Sequence, residues 1–267
     1  MIKAFDLRQG NLPLLVSMPH AGTLLTPEVS RGLTPRAQRL EDTDWHIPLL
    51  YQTIADMGAS TLCARYSRYV VDLNRPADDK PLYSTATTGL FTDIFFDGEA
   101  LFHPGDEPDE ATKAAILENV WRPYHQALAD ELARLREKFG YALLWDAHSI
   151  KSVVPRLFEG RLPDLNFGTA DGLSCALPLS DALLASCDRF PHYSRVLNGR
   201  FKGGYITRHY GDPDNHIHAV QLEMAQCCYM DEESFAYITE KAGQMQRVLE
   251  TLLNTALQWG REQYKAR

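Results

Sequence analysis

The chain has 267 residues, of which 45% are hydrophobic and 23% are charged, proportions that are ordinary for a globular protein. Its net charge of −8 argues against a nucleic-acid partner, because phosphate binding requires a basic face. No apolar run approaches the roughly 20 residues that a membrane-spanning helix needs, so we expect no membrane partner.

The first half of the chain contains short apolar runs and one helical pattern. Three apolar runs predict strands, at residues 12–17, 60–64 and 69–73. Residues 41–57 have the apolar spacing of a helix that stops at Gly58. Residues 76–110 are rich in Pro, Asp, Gly and Thr, and they predict a long irregular loop. A loop of that length in a compact domain is usually functional.

The second half of the chain continues the alternation of strands and helices. Helices are predicted at residues 111–139, 179–187 and 232–264, and strands at residues 141–145, 164–168 and 218–224. We expect the first helix to bend near Pro123, because proline cannot donate a backbone hydrogen bond. This order predicts an α/β protein, a three-layer α/β/α sandwich with a mixed, largely parallel sheet. Active sites in such sheets lie beyond the carboxyl ends of the strands.

Polar side chains collect at the carboxyl ends of the predicted strands. They are His20, Asn74, Arg75, His148 and Glu223. Taken singly, a histidine is more often hydrogen-bonded or on the surface than a metal ligand, and Glu223 could pair with Arg75 or Arg208 in the core. Taken together, two imidazoles and a carboxylate with an open fourth position form the arrangement of a catalytic zinc site. The chain lacks an HExxH helix motif, so distant segments would have to assemble such a site.

The start of the predicted helix at 41–57 carries three acidic residues, Glu41, Asp42 and Asp44. Acidic residues at a helix start are commonly caps or partners of the helix dipole, and all three fit that role. They are also the candidates for the carboxylate ligand. Asp146, two residues before His148, is expected either to orient that imidazole or to cap the end of its strand.

Other reactive side chains give weaker signals. The remaining candidate histidines are His46, His103, His125, His209, His216 and His218. Ser149 lacks the GxSxG setting of a serine hydrolase. The five cysteines lack CxxC spacing, which predicts reduced thiols and argues against a cysteine–zinc site. The stretch MIKAFDLRQG has no apolar signal-peptide core, so a cytoplasmic location is expected.

Seven segments carry a resemblance to a known family. They occur in order from residue 16 to residue 224, as VSMPHAG, EDTDWH, SRYVVDLNRP, LWDAHS, NFGTADG, GGYITRHYGDP and HAVQLEM. As a set they resemble the N-formylglutamate amidohydrolase (deformylase) family, whose core is similar to that of zinc carboxypeptidases and aspartoacylases. The resemblance covers most of the chain. It implies a single domain over residues 1–267 with a zinc-exopeptidase-like fold.

The resemblance also implies roles for individual residues. DLNR is similar to the carboxypeptidase Asn-Arg pair that grips a terminal carboxylate, which implies substrate binding by Asn74 and Arg75. DAHS resembles the segment of the second histidine ligand, His148. QLEM resembles the segment of the catalytic glutamate, Glu223.

The implied metal centre is one Zn²⁺ per chain, held by His20, Asp44 and His148. Carboxypeptidases take their first histidine and a glutamate from an HxxE motif, but here the third residue after His20 is Thr23. The carboxylate ligand must therefore come from another segment. Asp44 is preferred for it, and Asp42 and Glu41 are the alternatives.

The implied substrate, N-formyl-L-glutamate, is a small dianion, so it needs a second cation beside Arg75. Arg208 is the first candidate, with Arg68 and Lys202 behind it, and Arg208 is also expected to stabilise the tetrahedral oxyanion. Zinc would activate water, and Glu223 would pass a proton to the departing nitrogen. The products would be formate and L-glutamate, in the final step of one route of histidine degradation.

Two alternatives fit the same residues. One is another zinc-dependent N-acyl amino acid deacylase or a carboxypeptidase-like hydrolase, with the loop at 76–110 setting the size of the pocket. The other is a non-catalytic binding protein on the same fold. In solution we expect a monomer or a small homo-oligomer.

Overall fold

The computed structural model describes residues 3–82 and 86–265, and in that part of the chain seven strands form one sheet. Their bounds are β1 Phe5–Arg8, β2 Leu14–Met18, β3 Ser60–Ala64, β4 Ala142–Ile150, β5 Leu165–Gly168, β6 Arg195–Leu197 and β7 Ile217–Ala225. The strand order is β1-β3-β2-β4-β7-β5-β6. The β1–β3 and β5–β7 pairs are antiparallel, and the other pairs are parallel. The sheet is therefore mixed and largely parallel, as predicted.

Helices cover both faces of this sheet. Their bounds are α1 Pro27–Gly32, α2 Ile47–Leu50, α3 Gln52–Asp56, α4 Glu110–Ile116, α5 Arg122–Phe139, α6 Leu177–Ser186, α7 Tyr205–Tyr210 and α8 Thr239–Gln263. Apolar residues of α2, α3, α6 and α8 form one buried core with one face of the sheet. Those of α1, α4, α5 and α7 form a second core on the other face. This layering confirms the predicted α/β sandwich.

The register of β4 against β7 brings polar side chains together on one face. Leu144 of β4 belongs to the core on the α5 side. Asp146 and His148 follow at two-residue spacing, so they point to the same face. His148 lies opposite Glu223 in β7, and Asp146 lies opposite Gln221. Because β4 and β7 are parallel, these side chains reach the same edge of the sheet.

The predicted helix at 41–57 is wrong in its first part. Residues 41–46 form turns, and α2 begins only after His46. The φ angle of His46 is 65°, in the left-handed region that an α-helix cannot continue. A proline stands in the first turn of α2, where its missing N–H is tolerated. The acidic residues before it therefore lie in turns and do not cap a helix.

The predicted strand at 69–73 is also wrong, although four of its five residues are buried apolar side chains. Its backbone bonds are those of turns: Val70 N donates to Ser67 O, and Arg75 N donates to Asp72 O. Asp72 N donates to Leu90 O, in the long loop. The segment is thus a buried turn, and its hydrogen bonds go to the loop instead of to a neighbouring strand.

Most other predicted elements are present with shifted ends. The helix predicted at 232–264 begins later, at Thr239, because Asp231 Oδ1 accepts from the backbone N and the Oγ of Ser234 and closes a turn there. The described part of the loop predicted at 76–110 contains no helix or strand before Glu110, and residues 83–85 lie outside the described residues. Strands β1 and β6 and helices α1 and α7 were not predicted. Among the described helices, none is long and apolar enough to cross a membrane.

The helix predicted at 111–139 is present but divided by a wider turn. A π-helical turn at Leu117–Trp121 joins α4 to α5. Pro123 lies in the first turn of α5, where it has no N–H to offer to the preceding turn. Trp121 Nε1 donates to Arg75 O over 3.0 Å, so the helix contacts the turn at residues 72–75.

Candidate active site

His20 and His148 lie side by side at the carboxyl edge of the sheet, with ring centroids 4.9 Å apart. Asp44 Oδ2 lies 3.1 Å from His148 Nδ1 and 3.8 Å from His20 Nδ1. A hydrogen bond from Asp44 N to His20 O, 3.0 Å long, ties the turn of Asp44 to the end of β2. All three side chains are buried, and their ligand atoms lie within 4.8 Å of one another. The structure thus brings together the three residues predicted to hold a metal.

The two alternative carboxylates point elsewhere. Glu41 Oε2 accepts from Arg36 Nε and Nη2, over 3.2 and 3.0 Å. Asp42 Oδ2 accepts from Phe96 N over 3.1 Å. Burial raises the pKa of Asp42 to about 6, against the opposing charge of Arg68. Of the three acidic residues of this segment, the geometry therefore favours Asp44 as the ligand.

Each imidazole has a second carboxylate at its other nitrogen. Asp72 Oδ1 lies 2.7 Å from His20 Nε2, and Asp146 Oδ2 lies 3.0 Å from His148 Nε2. Such contacts fix the orientation of a ring and leave its Nδ1 facing Asp44. Asp146 thus occupies the orienting position that was one of its two expected roles. Asp72 was missed in this role, although its place two residues before the Asn-Arg pair was an available signal.

The charges around the two imidazoles differ. Burial lowers the pKa of His20, and the guanidinium of Arg68 lowers it further. Burial also opposes the charging of His148, but the carboxylates of Asp146 and Asp44 raise its pKa well above the usual value. Those carboxylates attract any cation that takes the place of this proton. The electrostatics of the site therefore favour a bound positive charge.

These side chains line a pocket with polar and apolar walls. Its other charged lining residues are Arg68, Arg75, Arg200 and Glu223. Its apolar lining comes from Phe96, Ile150, Leu157 and Phe201. Thr87 and Thr88 contribute from the long loop. Three arginines in one pocket of an acidic protein suit a ligand with carboxylate groups.

Glu223 enters the pocket from β7, directly opposite His148 in the strand register. Gln221 Nε2 lies 3.5 Å from Glu223 Oε2, and Asn166 Nδ2 donates to Glu223 O over 3.0 Å. Burial raises the pKa of Glu223 to about 8, and the charges of His148 and Asp44 act on it in opposite directions. A carboxyl group with a raised pKa in such a pocket can exchange a proton near neutral pH.

Arg75 lines the pocket and is anchored by the long loop. Its Nε donates to Thr88 O over 2.9 Å, and its Nη2 donates to Thr87 Oγ1 over 2.7 Å. Its Nη1 donates to Asn74 O over 3.2 Å. The guanidinium is therefore held in one orientation before any ligand binds.

Asn74 also lines the pocket, but its amide group is bonded within the protein. Its Nδ2 lies 3.0 Å from His148 Nε2 and donates to Asp146 Oδ2 over 3.2 Å. Its Oδ1 accepts from Ile206 N over 2.8 Å. A Cβ atom at Gly204 would lie 2.3 Å from Asn74 Nδ2, so only glycine allows this close approach. Asn74 thus contacts both His148 and its partner Asp146, and its predicted role in substrate binding stays a prediction.

Arg68 brings a buried cation beside the two imidazoles. Its Nη2 donates to Asp72 Oδ2 over 2.6 Å, and its Nη1 lies 3.5 Å from His20 Nδ1. The guanidinium carbon lies 4.5 Å from the centre of the Phe96 ring. Although burial opposes it, the positive charges of His20, Arg68 and Arg75 hold the pKa of Asp72 well below its usual value. Asp72 is therefore an anion that fixes Arg68 next to the candidate metal centre.

Arg208, predicted to bind substrate and to stabilise the oxyanion, is not among the residues that line this pocket. It is exposed on α7, and its Nε donates to a backbone carbonyl of the preceding segment. Arg200, Phe201 and Gly204, all before α7, are the residues of this region that line the pocket. Lys202 pairs with Asp171 over 3.1 Å. The role of Arg208 therefore stays a prediction, and Arg200 is a further cation that the pocket lining contains.

Arg200 is the pocket-lining cation that sequence reasoning missed. Its Nε donates to Leu157 O over 2.6 Å, and its Nη2 donates to Ala86 O over 2.7 Å. The residue lies in an irregular segment between β6 and α7. It belongs to no motif, so its charge was the only signal in the sequence.

The weaker histidine candidates lie outside this pocket in the part of the chain that the structure describes. They are His46, His103, His125, His209, His216 and His218. His46 and His216 bond to backbone carbonyl oxygens, and His218 bonds to a tyrosine hydroxyl. These contacts with carbonyl and hydroxyl oxygens give the three histidines structural roles.

Ser149 lines the pocket, and its Oγ accepts from Tyr229 over 2.8 Å.

Comparison with known proteins gives matches along nearly the whole chain. The N-formylglutamate amidohydrolase family model matches residues 12–230. A Pseudomonas aeruginosa protein named N-formylglutamate deformylase is 58% identical over 265 residues, which are 99% of this chain and 100% of that protein. A Pseudomonas putida protein of the same name is 56% identical over 266 residues, again 99% of this chain and 100% of that protein.

Two solved structures have the same fold. N-formylglutamate amidohydrolase from Ralstonia eutropha JMP134 superposes with a TM-score of 0.83 at 24% identity, covering 98% of this chain and 99% of the other. The gene product Atu2144 from Agrobacterium tumefaciens superposes with a TM-score of 0.72 at 19% identity, covering 95% of this chain and 94% of the other. With a family match over most of its length and full-length relatives of more than half identity, the chain belongs to the N-formylglutamate amidohydrolase family.

Proposed function

We propose that this chain is a metal-dependent amidohydrolase that converts N-formyl-L-glutamate and water into formate and L-glutamate. Membership of the family and full-length relatives named N-formylglutamate deformylase support this activity. The observation that carries the mechanism is one pocket that holds two imidazoles, two carboxyl groups and three guanidinium groups. This combination provides metal ligands, a proton carrier and partners for carboxylates.

We propose Zn²⁺ as the metal, one per chain, with His20 Nδ1, His148 Nδ1 and a carboxylate oxygen of Asp44 as ligands. The donor set fits, since two imidazoles and one carboxylate are a common catalytic zinc arrangement. The fit extends to the other ring nitrogens, which bond to Asp72 and Asp146 as those of metal-bound histidines usually do. When bound, zinc would supply Lewis acidity that polarises the formyl oxygen and makes water a stronger nucleophile.

Glu223 is the group that moves the proton. It takes a proton from the attacking water while the C–O bond forms, and it gives that proton to the nitrogen as the amide C–N bond breaks. It lies opposite His148 in the strand register and lines the same pocket as the three proposed ligands. Its raised pKa, caused by burial, suits a group that must both accept and release a proton near neutral pH.

Each of the three pocket arginines binds one negatively charged group of the substrate or of the transition state. Arg75 and Arg200 bind the two carboxylates of the substrate, because each guanidinium is already held in the pocket by backbone carbonyls. Arg68, beside His20, stabilises the oxyanion that develops on the formyl oxygen. Asn74 donates from Nδ2 to Asp146 Oδ2, so it holds the carboxylate that accepts from His148 Nε2. The bonds of Arg75 and Arg200 to the long loop support the idea that this loop sets the size of the pocket.

We further propose that the enzyme works in the cytoplasm, as a single-domain monomer or small homo-oligomer, on this small dianionic N-acyl amino acid. Its reaction would be the final step of one route of histidine degradation. Its acidic net charge of −8 fits a protein without nucleic-acid partners.

Glu223→Gln tests the mechanism, because the amide keeps the shape of the side chain and cannot accept a proton. We expect unchanged zinc content and melting temperature, with kcat lower by roughly 10²–10⁴-fold. Glu159→Gln, at an exposed position outside the pocket, is the matched control and should behave as the wild type. Zinc loss that added zinc reverses would make Glu223 a ligand. A lower melting temperature with normal turnover would make it a structural ion-pair partner.

The arginines and the substrate are tested together by measuring formate release. Arg75→Ala and Arg200→Ala should each raise KM for N-formyl-L-glutamate by roughly tenfold or more, since each removes a charge-assisted contact with a carboxylate. Arg208→Ala, on the exposed face of α7, decides between the two assignments: an unchanged KM supports Arg200, and a raised KM would support the predicted role of Arg208. Turnover of N-acetyl-L-glutamate or a glutamyl peptide as fast as that of N-formyl-L-glutamate would favour a broader deacylase.

A further inference from the structure

Two adjacent thiols lie close behind the active site and have no part in the proposed mechanism. Cys227 and Cys228 belong to a short 3-10 turn at Gln226–Cys228, which directly follows β7. Cys228 is buried, and its Sγ donates to Asp164 Oδ1 over 3.2 Å. Cys227 is half-buried, and Arg161 Nη2 lies 3.4 Å from its Sγ. The pair therefore combines one accessible sulfur, one buried sulfur and a cation.

We propose that Cys227 is a reactive thiolate that hydroperoxides oxidise, and that Cys228 is the thiol that resolves the oxidised form. Metal binding is the competing use, because one ligand atom each from Asp164, Cys227 and Cys228 lie within 4.8 Å of one another. The same Arg161 Nη2 that faces Cys227 lies 2.6 Å from Asp164 Oδ1, however. A guanidinium in that place repels a cation and stabilises a thiolate. The charge at the cluster thus favours thiol chemistry over a metal.

The positive groups near Cys227 come from two elements. Arg161 faces its sulfur, and Lys241 at the start of α8 donates from Nζ to Cys227 O over 3.1 Å. When its single proton turns from Asp164 to Cys227, the Cys228 thiol also stabilises the thiolate, and this bond is the largest cause of the lowered pKa of Cys227. All three groups favour the ionised sulfur.

The negative groups near Cys227 act against ionisation. Glu232 accepts from Cys227 N over 2.8 Å, and its charge raises the thiol pKa. Asp164 is engaged by Arg161 and by Ser194, whose Oγ donates to Asp164 Oδ2 over 2.7 Å. The net result is a pKa of Cys227 lowered from 9.0 to about 6.

The other cysteines provide an internal comparison. Burial raises the pKa of Cys63 to about 11, and it raises that of Cys175 to about 12 and that of Cys187 to about 11. Cys63 is half-buried like Cys227, but it has no guanidinium near its sulfur among the contacts described. It is therefore the matched control for exposure without a stabilising charge.

The chemistry needs only a hydroperoxide as co-reactant. The Cys227 thiolate attacks the terminal oxygen of the peroxide, and the O–O bond breaks as water or an alcohol leaves. The sulfur loses two electrons and becomes a sulfenic acid, while the peroxide is reduced. The Cys228 thiol then attacks that sulfur, an S–S bond forms, and water leaves. A dithiol reductant then attacks the S–S bond by thiol–disulfide exchange, which returns both cysteines to thiols while the reductant becomes a disulfide.

Disulfide formation would alter the active site through the hydrogen bonds of the residues that flank the pair, beginning with Gln226. Gln226 Nε2 donates to Thr43 O over 3.0 Å, next to the proposed ligand Asp44. Tyr229, after the pair, donates from its hydroxyl to Trp45 O over 2.9 Å. A disulfide between neighbouring residues distorts the turn that holds these two bonds. Turnover therefore falls on oxidation, a consequence that rests on the proposed function.

The thiolate is tested by the pH dependence of iodoacetamide alkylation, followed by mass spectrometry on the full-length enzyme. Cys227 should react with a midpoint more than one pH unit below the ordinary thiol value of about 8.5. Cys63 should react only at higher pH. Arg161→Gln should raise the Cys227 midpoint by at least half a unit. A Cys227 midpoint equal to that of Cys63, or one that Arg161→Gln leaves unmoved, overturns the proposal.

The oxidation is tested with hydrogen peroxide at pH 7. The wild type should form the Cys227–Cys228 disulfide, and Cys228→Ser should accumulate a sulfenic acid at Cys227 that dimedone traps. Formate release should fall severalfold and return with dithiothreitol, whereas Cys227→Ser should be insensitive. Equal oxidation of Cys63, or disulfide formation with unchanged turnover, contradicts the proposal. Alkylation and disulfide formation need no activity, so an enzyme without formate release would refute the proposed function and leave these two tests intact.

Discussion

His125 bonds to the active-site turn at residues 72–75, and its buried neutral ring should make the free energy of unfolding depend on pH. On α5, its Nε2 donates to Leu73 O over 2.9 Å, in the turn that carries the Asn-Arg pair. The ring of Trp121 stacks on it with centroids 3.9 Å apart, and only 5% of the residue is exposed. Burial lowers the pKa of His125 from 6.5 to about 3. The folded protein therefore resists protonation that the unfolded chain accepts.

The magnitude follows from the two pKa values of His125. Its neutral form contributes stability that is fully present above pH 6.5 and is lost as the pH falls from 6.5 towards 3. A pH of 5 lies 1.5 units below the pKa of His125 in the unfolded chain (6.5 − 5). At 1.36 kcal/mol per unit, protonation of the unfolded chain lowers the free energy of unfolding by about 2 kcal/mol at that pH. Because the folded protein still holds His125 neutral at pH 5, the unfolded-state pKa alone sets this figure.

His125→Gln removes the titration and keeps an amide that can donate to Leu73 O. Urea unfolding at pH 7 and pH 5 measures the free energy of unfolding of both proteins. The loss between the two pH values should be about 2 kcal/mol smaller in the variant than in the wild type. His103→Gln, at an exposed position, should lose as much as the wild type. Equal losses for His125→Gln and the wild type would refute the assignment of a buried neutral imidazole.

Three further predictions concern zinc affinity, the requirement for a metal and a buried hydrogen bond. Asp72→Asn should weaken zinc binding by about 10–100-fold, because the amide cannot orient the His20 ring through Nε2 as the carboxylate does. Competition with a chromogenic chelator measures the affinity, and an unchanged affinity would contradict the orienting role of Asp72. Removal of the metal with 1,10-phenanthroline should abolish formate release, and added Zn²⁺ should restore it; turnover that survives removal would exclude a metal. Tyr51→Phe should lower the free energy of unfolding by about 1–3 kcal/mol, because Trp145 Nε1 donates to that buried hydroxyl over 2.8 Å and would lose its partner. Trp145→Phe should cost less in the Tyr51→Phe protein than in the wild type, because the hydrogen bond is already gone, as urea unfolding of the two single variants and the double variant would show.

His20, His148 and Glu223 could be located from the sequence because each follows or ends an apolar run. In a largely parallel sheet the carboxyl ends of such runs share one edge, so separate segments were expected to meet. The parallel register of β2, β4 and β7 brings this about, and it depends only on periodicity and on the order of the elements. That part of the site is a consequence of local pattern.

Other parts of the site depend on contacts that no local pattern records. Val70 and Val71 suit a buried strand as well as a buried turn, and the choice is made by bonds to Ser67 and to Leu90 in the long loop. Arg200 and Arg208 are equally charged and lie close together in sequence. Which of them enters the pocket depends on where α7 begins, and that in turn depends on the packing of its first turn against the Asn-Arg pair.

The π-helical turn at Leu117–Trp121 sets the position of Trp121 relative to the active-site turn. It holds one residue more than an α-helical path would need. Because the wider turn absorbs that residue, the helix on its two sides keeps the phase of a continuous α-helix. Deleting one residue there would restore regular α-helix and change the local backbone that carries Trp121. The indole N–H of Trp121 could then no longer reach Arg75 O while its ring covers His125. A length change in a distant helix would thus act as an active-site mutation, although every residue that touches the substrate stayed in place.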